Sequence, residues 1–119
     1  MVMLNRLRFL KGEPEVLVVT YIPEALCPNL IQEDLAHHSL YKLLARKYGL
    51  VIASGHQSVE AIALDCADAK QLGSQPKSPA LLLKSIGLLT DGKPLEFFIA
   101  KHRGDRSVFH IDLVREPKG

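Results

Sequence analysis

Apolar and polar residues alternate at the start of the chain in a way that predicts two strands and their turn. Residues 4–10 alternate, and residues 16–21 are rich in β-branched side chains. The turn residues at 11–14 lie between them. This order predicts a β-hairpin, followed by a loop in which Pro23 and Pro28 interrupt regular structure.

Helical spacing replaces the alternation in the middle of the chain. A short helical piece is predicted at residues 30–35, and Ser39 is a suitable N-cap for a helix over residues 40–48. Gly49 follows at the C′ position, where a left-handed conformation commonly ends a helix. A long strand is then predicted at residues 51–64.

The second half of the chain returns to strands after one brief helix. Asp65 can cap a helix at residues 66–72, which Gly73 closes, and the apolar run at 80–90 suits a strand buried on both faces. Asp91-Gly92 is a strong hairpin signal before a strand at 94–102. After a turn at 103–106, residues 108–113 predict a final strand. The order β-β-α-β-α-β-β-β predicts an α+β domain with a mostly antiparallel sheet and flanking helices.

Composition narrows the class of protein. The 119 residues suffice for one domain, and 47% apolar with 24% charged residues is typical of a globular protein. No apolar run reaches the ~18 residues that a membrane span needs, and Arg6 and Arg8 interrupt the region where a secretory signal would be apolar. We therefore expect a cytoplasmic protein with no membrane partner. Cys27 and Cys66 are expected to be unpaired thiols of a reduced compartment.

Charge and motifs argue against several functions. The net charge is only +2 and the basic residues are scattered, so no nucleic-acid reading element is predicted on this chain. GxSxG, P-loop and GxGxxG motifs are absent. The histidines show no metal-ligand spacing, and the adjacent His37 and His38 are interpreted as a solvated pair. We expect neither a cofactor nor a metal nor an enzyme.

Seven short motifs, in order and across almost the whole chain, resemble the UTRA domain of GntR-type bacterial transcription regulators of the HutC subfamily. The resemblance implies a chorismate-lyase-like fold and a homodimer that binds a small-molecule effector. It also implies an N-terminal winged helix-turn-helix that binds DNA and is not on this chain, where the usual first strand is missing too. The motifs are Arg6 to Arg8 with Gly12 to Pro14, residues 20–23, 39–41 with 48–49, 69–72, 79–82, 91–96 and 103–106.

Two arginines are the leading candidates for ligand binding. Arg6 and Arg8 are spaced i, i+2, so on a strand both project from one face about 7 Å apart. Their planar donors suit a carboxylate or phosphate. The resemblance implies that this Arg-x-Arg holds the phosphate of a sugar phosphate. The alternative is a solvated strand face with ordinary surface arginines.

Four further candidates come mainly from the resemblance. Ser39 can cap the helix or bind the anion, and the helix N-terminus favours both. Tyr41 lines the family's pocket or is a core tyrosine with a backbone partner, and Glu96 binds a ligand hydroxyl or amine or pairs with Lys84. His102 matches an aromatic position near the ligand. The predicted ligand-binding set is therefore Arg6, Arg8, Ser39, Tyr41, Glu96 and His102.

Two departures from the family pattern remove polar groups from the implied pocket. Val18 stands where binders of amino-sugar phosphates carry glutamate, and Ser85 stands where arginine is common. The leading hypothesis is a sensor domain for a small anionic metabolite, either a sugar phosphate or an organic acid. A chorismate-lyase-like enzyme and a dimerisation domain without a ligand are the alternatives.

Overall fold

The computed structural model describes residues 1–35 and 39–115, so the predicted His37-His38 pair lies outside the described residues. Within these ranges five strands and two α-helices follow one another, with two short 3₁₀ turns at Glu24–Leu26 and Leu30–Gln32. The elements are β1 (Val2–Leu10), β2 (Glu13–Ile22), α1 (Leu40–Tyr48), β3 (Ser54–Ala63), α2 (Cys66–Gln71), β4 (Pro79–Leu88) and β5 (Pro94–Arg103).

The strands form one antiparallel sheet in the order β1-β2-β5-β4-β3. Lys11 and Gly12 connect β1 to β2 with φ values of 51° and 80°, the positive angles of a two-residue turn that follows the sheet's twist. Gly92 has φ 83° in the predicted Asp91-Gly92 turn between β4 and β5. The α+β class and the antiparallel sheet are thus confirmed, and β1 and β3 are its edges.

The caps predicted for both helices are present. The Ser39 hydroxyl accepts from the Lys42 amide at 3.5 Å at the start of α1. Gly49 ends α1 with φ 66°. Asp65 caps α2 by accepting from the Asp68 amide at 2.8 Å. In the described ranges no helix is long and apolar enough to cross a membrane.

Each face of the sheet packs against its own helix. On one face Leu43 and Leu44 of α1 contact Val2, Leu4 and buried residues of the loop before the helix. On the opposite face Ala69 and Leu72 of α2 lie against Leu7 and Leu17, together with Leu64 and Ala80. Because α1 covers only part of its face, the rest of that face can line a site.

The predicted final strand at residues 108–113 is wrong. Residues 107–115 have no regular secondary structure, and β5 ends at Arg103. A β-rich sequence becomes a strand only where a neighbouring strand accepts its backbone hydrogen bonds, and no described strand lies beside this segment. Its apolar side chains are exposed, from 38% at Phe109 to 90% at Leu113.

Candidate functional site

Arg6 and Arg8 lie on the face of the sheet that α1 partly covers. Strand alternation places them with Val2 and Leu4, whose side chains pack in the α1 core. Arg6 is half-buried opposite Val18, whereas Arg8 is exposed. The pairing between β1 and β2 shifts register immediately after Arg8, so a β-bulge ends the regular ladder there.

A cavity of about 860 Å³ runs along β1. Arg6, Arg8 and Ser39 all line it, so three of the predicted residues surround one space at the N-terminus of α1. Its size lies within the range of small-molecule sites. The remaining lining residues are Met3, Leu4, Asn5, Leu7, Phe9, Ile31, Glu33 and Leu35.

Asn5 and Glu33 are lining residues that sequence reasoning missed. Asn5 projects from the face of β1 opposite to Arg6, but β1 is an edge strand and the cavity reaches both of its sides. Glu33 forms an ion pair with Lys47 at the rim. Neither residue belongs to a motif. They line the cavity because β1 is an edge strand, and this position follows from the strand order, which the sequence did not provide.

Glu96 is buried beside Tyr41. The Tyr41 hydroxyl donates to Glu96 Oε1 at 2.5 Å, and the glutamate is 3% exposed. Lys84 is not its partner, because Glu96 pairs with Gly87 and the odd spacing places Lys84 on the other face. Tyr41 is not a core residue either, since 48% of its surface is exposed and its hydroxyl binds a side chain.

Two buried polar atoms near α1 have no partner among the described residues. They are Arg6 Nε, a donor, and Glu96 Oε2, an acceptor. Buried polar groups in folded proteins are nearly always hydrogen-bonded, so an unpaired one needs an explanation such as a ligand. Their opposite hydrogen-bonding character suits a molecule that offers both an acceptor and a donor.

Burial dominates the electrostatics of the three coupled groups. Desolvation raises the pKa of Glu96, although the Tyr41 hydrogen bond and the charge of Arg6 oppose this rise. Desolvation, and then the neighbouring charge of Arg8, lower the pKa of Arg6, while Tyr41 and Glu96 act to raise it. Desolvation and the bond to Glu96 raise the pKa of Tyr41. Arg6 therefore holds its positive charge at a cost that a neighbouring anion would reduce.

His102 lies apart from the cavity lining. Val16 on β2 pairs with Arg8 on β1 and with His102 on β5. His102 is therefore on the same face of the sheet as Arg8, two strands away. Its ring meets the edge of Phe109 with centroids 4.9 Å apart. Burial lowers the pKa of His102, and Glu15 partly offsets the effect. Of the six predicted residues, Arg6, Arg8 and Ser39 line the cavity along β1, whereas Tyr41, Glu96 and His102 are not among its lining residues.

The two departures from the family pattern lie on this same face. Val18 on β2 is directly opposite Arg6 on β1. Ser85 on β4 is opposite Phe98 on β5. The floor between the arginines and β4 is therefore apolar, with Val16, Leu83 and Ala100 buried together.

The turn predicted at residues 103–106 follows β5 and is held by the side chain of Arg103. Arg103 donates to both carboxylate oxygens of Asp105, at 3.1 and 2.8 Å, and to the Leu72 carbonyl at 3.2 Å. The hydrogen bond from Arg103 holds the pKa of Asp105 below its ordinary value. No group of acidic, histidine or cysteine residues within 1–35 and 39–115 could hold a metal ion.

Comparison with known proteins gives a consistent result. Residues 1–107 match the family model of the UTRA domain. The HTH-type transcriptional regulator GmuR of Bacillus subtilis is 37% identical over 103 residues, which is 87% of this chain and 43% of that protein. The chain thus spans less than half the length of this relative.

Solved structures share the fold. A GntR-family transcriptional regulator from Enterococcus faecalis superposes with a TM-score of 0.84 at 23% identity, covering 93% of this chain and 79% of that one. The effector domain of PhnF from Mycobacterium smegmatis gives a TM-score of 0.88 at 24% identity, covering 95% of this chain and 69% of the other. At these identities the likeness concerns the fold alone.

Proposed function

The chain belongs to the UTRA family, whose relatives here are transcriptional regulators, and on that premise we propose that it binds a small anionic metabolite to control DNA binding by a helix-turn-helix domain. The observation that carries the proposal is the pair of buried, unpartnered atoms, Arg6 Nε and Glu96 Oε2. A folded domain tolerates such atoms where a ligand completes their hydrogen bonds.

The geometry favours an anion that also carries a donor group. Arg6 and Arg8 line one cavity with Ser39, so two guanidinium groups and the helix N-terminus can share one phosphate or carboxylate. Glu96 Oε2 can only accept, so it needs a hydroxyl or amine. Sugar phosphates and hydroxylated organic acids combine these features.

Regulation follows if the ligand binds two conformations of the domain with different affinities. The cavity lies between β1 and the segment that leads into α1, so a ligand contacts two elements whose separation can change. We assign the control of DNA to a preceding domain because the relative GmuR is an HTH-type regulator more than twice the length of the matched region. The role we propose is regulatory and not enzymatic.

Thermal unfolding in the presence of sugar phosphates and organic acids tests ligand binding. A ligand at 100-fold its Kd should stabilise the domain by about 2.7 kcal/mol. Arg6→Ala with Arg8→Ala should abolish this response. The matched control, Lys70→Ala with Lys93→Ala, removes the same charge from exposed positions outside the cavity and should keep it. A retained response in the arginine variant would exclude the anion site.

We also propose that the domain forms a homodimer, and the segment at residues 107–115 supports this. Its exposed apolar side chains include Val108, Ile111 and Leu113, at 75%, 78% and 90%. An extended apolar segment of this kind is typical of an interface. Light scattering after size exclusion should show a dimer that Ile111→Asp with Leu113→Asp converts to monomer. A monomeric wild-type domain at high concentration would refute the proposal.

A further inference from the structure

Strand β3 is an edge strand without the features that usually discourage further pairing. Nine of its ten residues are exposed, so both of its faces are open. Its pairing with β4 runs over all ten residues without a register shift, and no described strand lies on its other side. Edge strands are commonly protected by a bulge, a proline or a lysine. β3 contains none of these, so its outer backbone groups are free to accept another strand.

The opposite edge of the sheet is protected. β1 carries Arg6 and Arg8, and a bulge interrupts its pairing immediately after Arg8. Charges and bulges at an edge both oppose the addition of a strand. β1 also lines the cavity of the proposed ligand site. Of the two edges, β3 is therefore the one that suits another strand.

The segment at residues 107–115 has the sequence of a strand and no neighbour to pair with. Phe109, Ile111 and Leu113 alternate with His110 and Asp112, which is the pattern of a strand with one apolar side. Its nine residues are close in number to the ten of β3, and no described strand lies beside it. The chain therefore has both an open edge and a segment that could fill one.

The start of this segment is anchored away from the β3 of its own chain. Arg106, just before it, forms an ion pair with Glu13 at the beginning of β2. The ring of Phe109 contacts His102 on β5. β2 and β5 are neighbours near the centre of the sheet, whereas β3 lies two strands beyond β5. These contacts favour the β3 of a second copy as the acceptor.

One antiparallel alignment matches the side chains on both faces. With Ile111 opposite Val59, apolar residues meet apolar residues and polar residues meet polar ones. A shift by two residues in one direction would place Val108 opposite Glu60, and a shift in the other would place Asp112 opposite Glu60, where like charges destabilise a pair. The aligned pairs are Val108–Ile62, Phe109–Ala61, His110–Glu60, Ile111–Val59 and Asp112–Ser58.

We propose that residues 107–115 of one copy add to β3 of a second copy as a sixth strand, antiparallel and with Ile111 opposite Val59. The exchange is reciprocal, so each sheet of the dimer gains one strand from its partner. This inference rests on the homodimer of the proposed function and names the surface that receives the exposed apolar segment. Two sets of backbone hydrogen bonds then hold the dimer together.

A disulfide between two different copies tests the pairing directly. The background is Cys66→Ser, which removes the exposed native thiol, since Cys27 is buried. Val59→Cys and Ile111→Cys are placed on separate chains with different tags and co-expressed. Residues opposite each other in antiparallel strands have Cα atoms about 4.5 to 5.5 Å apart, within the range of a disulfide. Mild oxidation should therefore give a covalent heterodimer on a non-reducing gel. The matched control pairs Val51→Cys, an exposed valine outside β3, with Ile111→Cys and should give none.

Exchange of charges tests the same pair without a covalent bond. Val59→Lys should weaken the dimer about 10-fold, because the altered contact occurs twice, and Ile111→Glu should do the same. Both changes in one chain place opposite charges across the pair and should restore much of the affinity. Val51→Lys is the control and should leave the dimer unchanged. Light scattering over a range of concentrations measures the dissociation constant, and circular dichroism shows that each variant is folded.

The outcomes separate this interface from the proposed homodimer. A wild-type dimer that yields no disulfide between Val59→Cys and Ile111→Cys chains would overturn the strand addition and leave the homodimer standing. A covalent dimer of Val59→Cys alone would instead pair two β3 edges and also overturn it. A chain with both cysteines that closes its disulfide as a monomer would assign the segment to its own β3. A monomeric wild type would count against both proposals.

Discussion

Two arginine–carboxylate arrangements in this domain show how differently the same chemical groups can be used. Arg103 donates from each of its three side-chain nitrogens, to Asp105 and to the Leu72 carbonyl, so each nitrogen has a partner within the chain. Arg6 and Glu96, by contrast, are coupled electrostatically but keep one buried atom each without a described partner. The Arg103–Asp105 pair stabilises a turn. Arg6 and Glu96 each keep an unpaired hydrogen-bonding atom that a ligand can bind.

The comparison is tested most strongly by removing each arginine in turn. Arg103→Ala should lower the free energy of unfolding by about 2 kcal/mol, because hydrogen bonds from a charged donor are lost and the Leu72 carbonyl loses a partner. It should leave the ligand response intact. Arg6→Ala should change stability less and remove the ligand response. Chemical denaturation with and without a sugar phosphate measures both the stability and the ligand response. Equal stability losses and equal ligand responses in the two variants would contradict the different roles assigned to Arg103 and Arg6.

The two helix caps give a smaller, matched test. Asp65→Ala should cost about 1 kcal/mol, because the capping bond to Asp68 is 2.8 Å and well formed. Ser39→Ala should cost about 0.5 kcal/mol, because its bond to Lys42 is long at 3.5 Å. Only Ser39→Ala should also weaken ligand binding, since Ser39 lines the cavity. Thermal unfolding with titrated ligand measures both effects. An unaltered ligand affinity in Ser39→Ala would limit Ser39 to capping.

The two carboxylates should respond to pH with opposite signs. The pKa of Glu96 is raised in the folded state, so its contribution to stability is present below its ordinary value of 4.5 and is lost as pH rises through the folded pKa. The pKa of Asp105 is lowered, so its contribution is present above 3.8 and is lost as pH falls. Glu96→Gln should flatten the first slope and Asp105→Asn the second. Denaturant midpoints across acidic pH would show slopes of equal sign if this is wrong.

The smallest expected effect concerns His102. Its folded pKa lies below 6.5, so its contribution to stability is present above that pH and is lost as pH falls through the folded value. His102→Gln should remove this loss without changing affinity for a sugar phosphate, because His102 does not line the cavity beside β1. A drop in affinity at constant pH would instead return His102 to the site.

Local sequence was sufficient for most of the secondary structure. The turn at Lys11-Gly12, the cap at Ser39 and the helix end at Gly49 each depend on residues within a few positions, and the structure contains all three. The i, i+2 spacing of Arg6 and Arg8 also placed both on one face, because side chains alternate along a strand.

Tertiary structure decided what depends on contacts between distant residues. The strand order put β1 at an edge and opened the cavity around it. The Tyr41–Glu96 bond joins positions 55 apart, a pairing that no local pattern encodes. The same reason explains the error at residues 108–113, where a β-rich sequence has no described neighbour to complete its hydrogen bonds. Propensity and spacing act over a few residues, whereas a site and a sheet need partners that only the folded chain brings together.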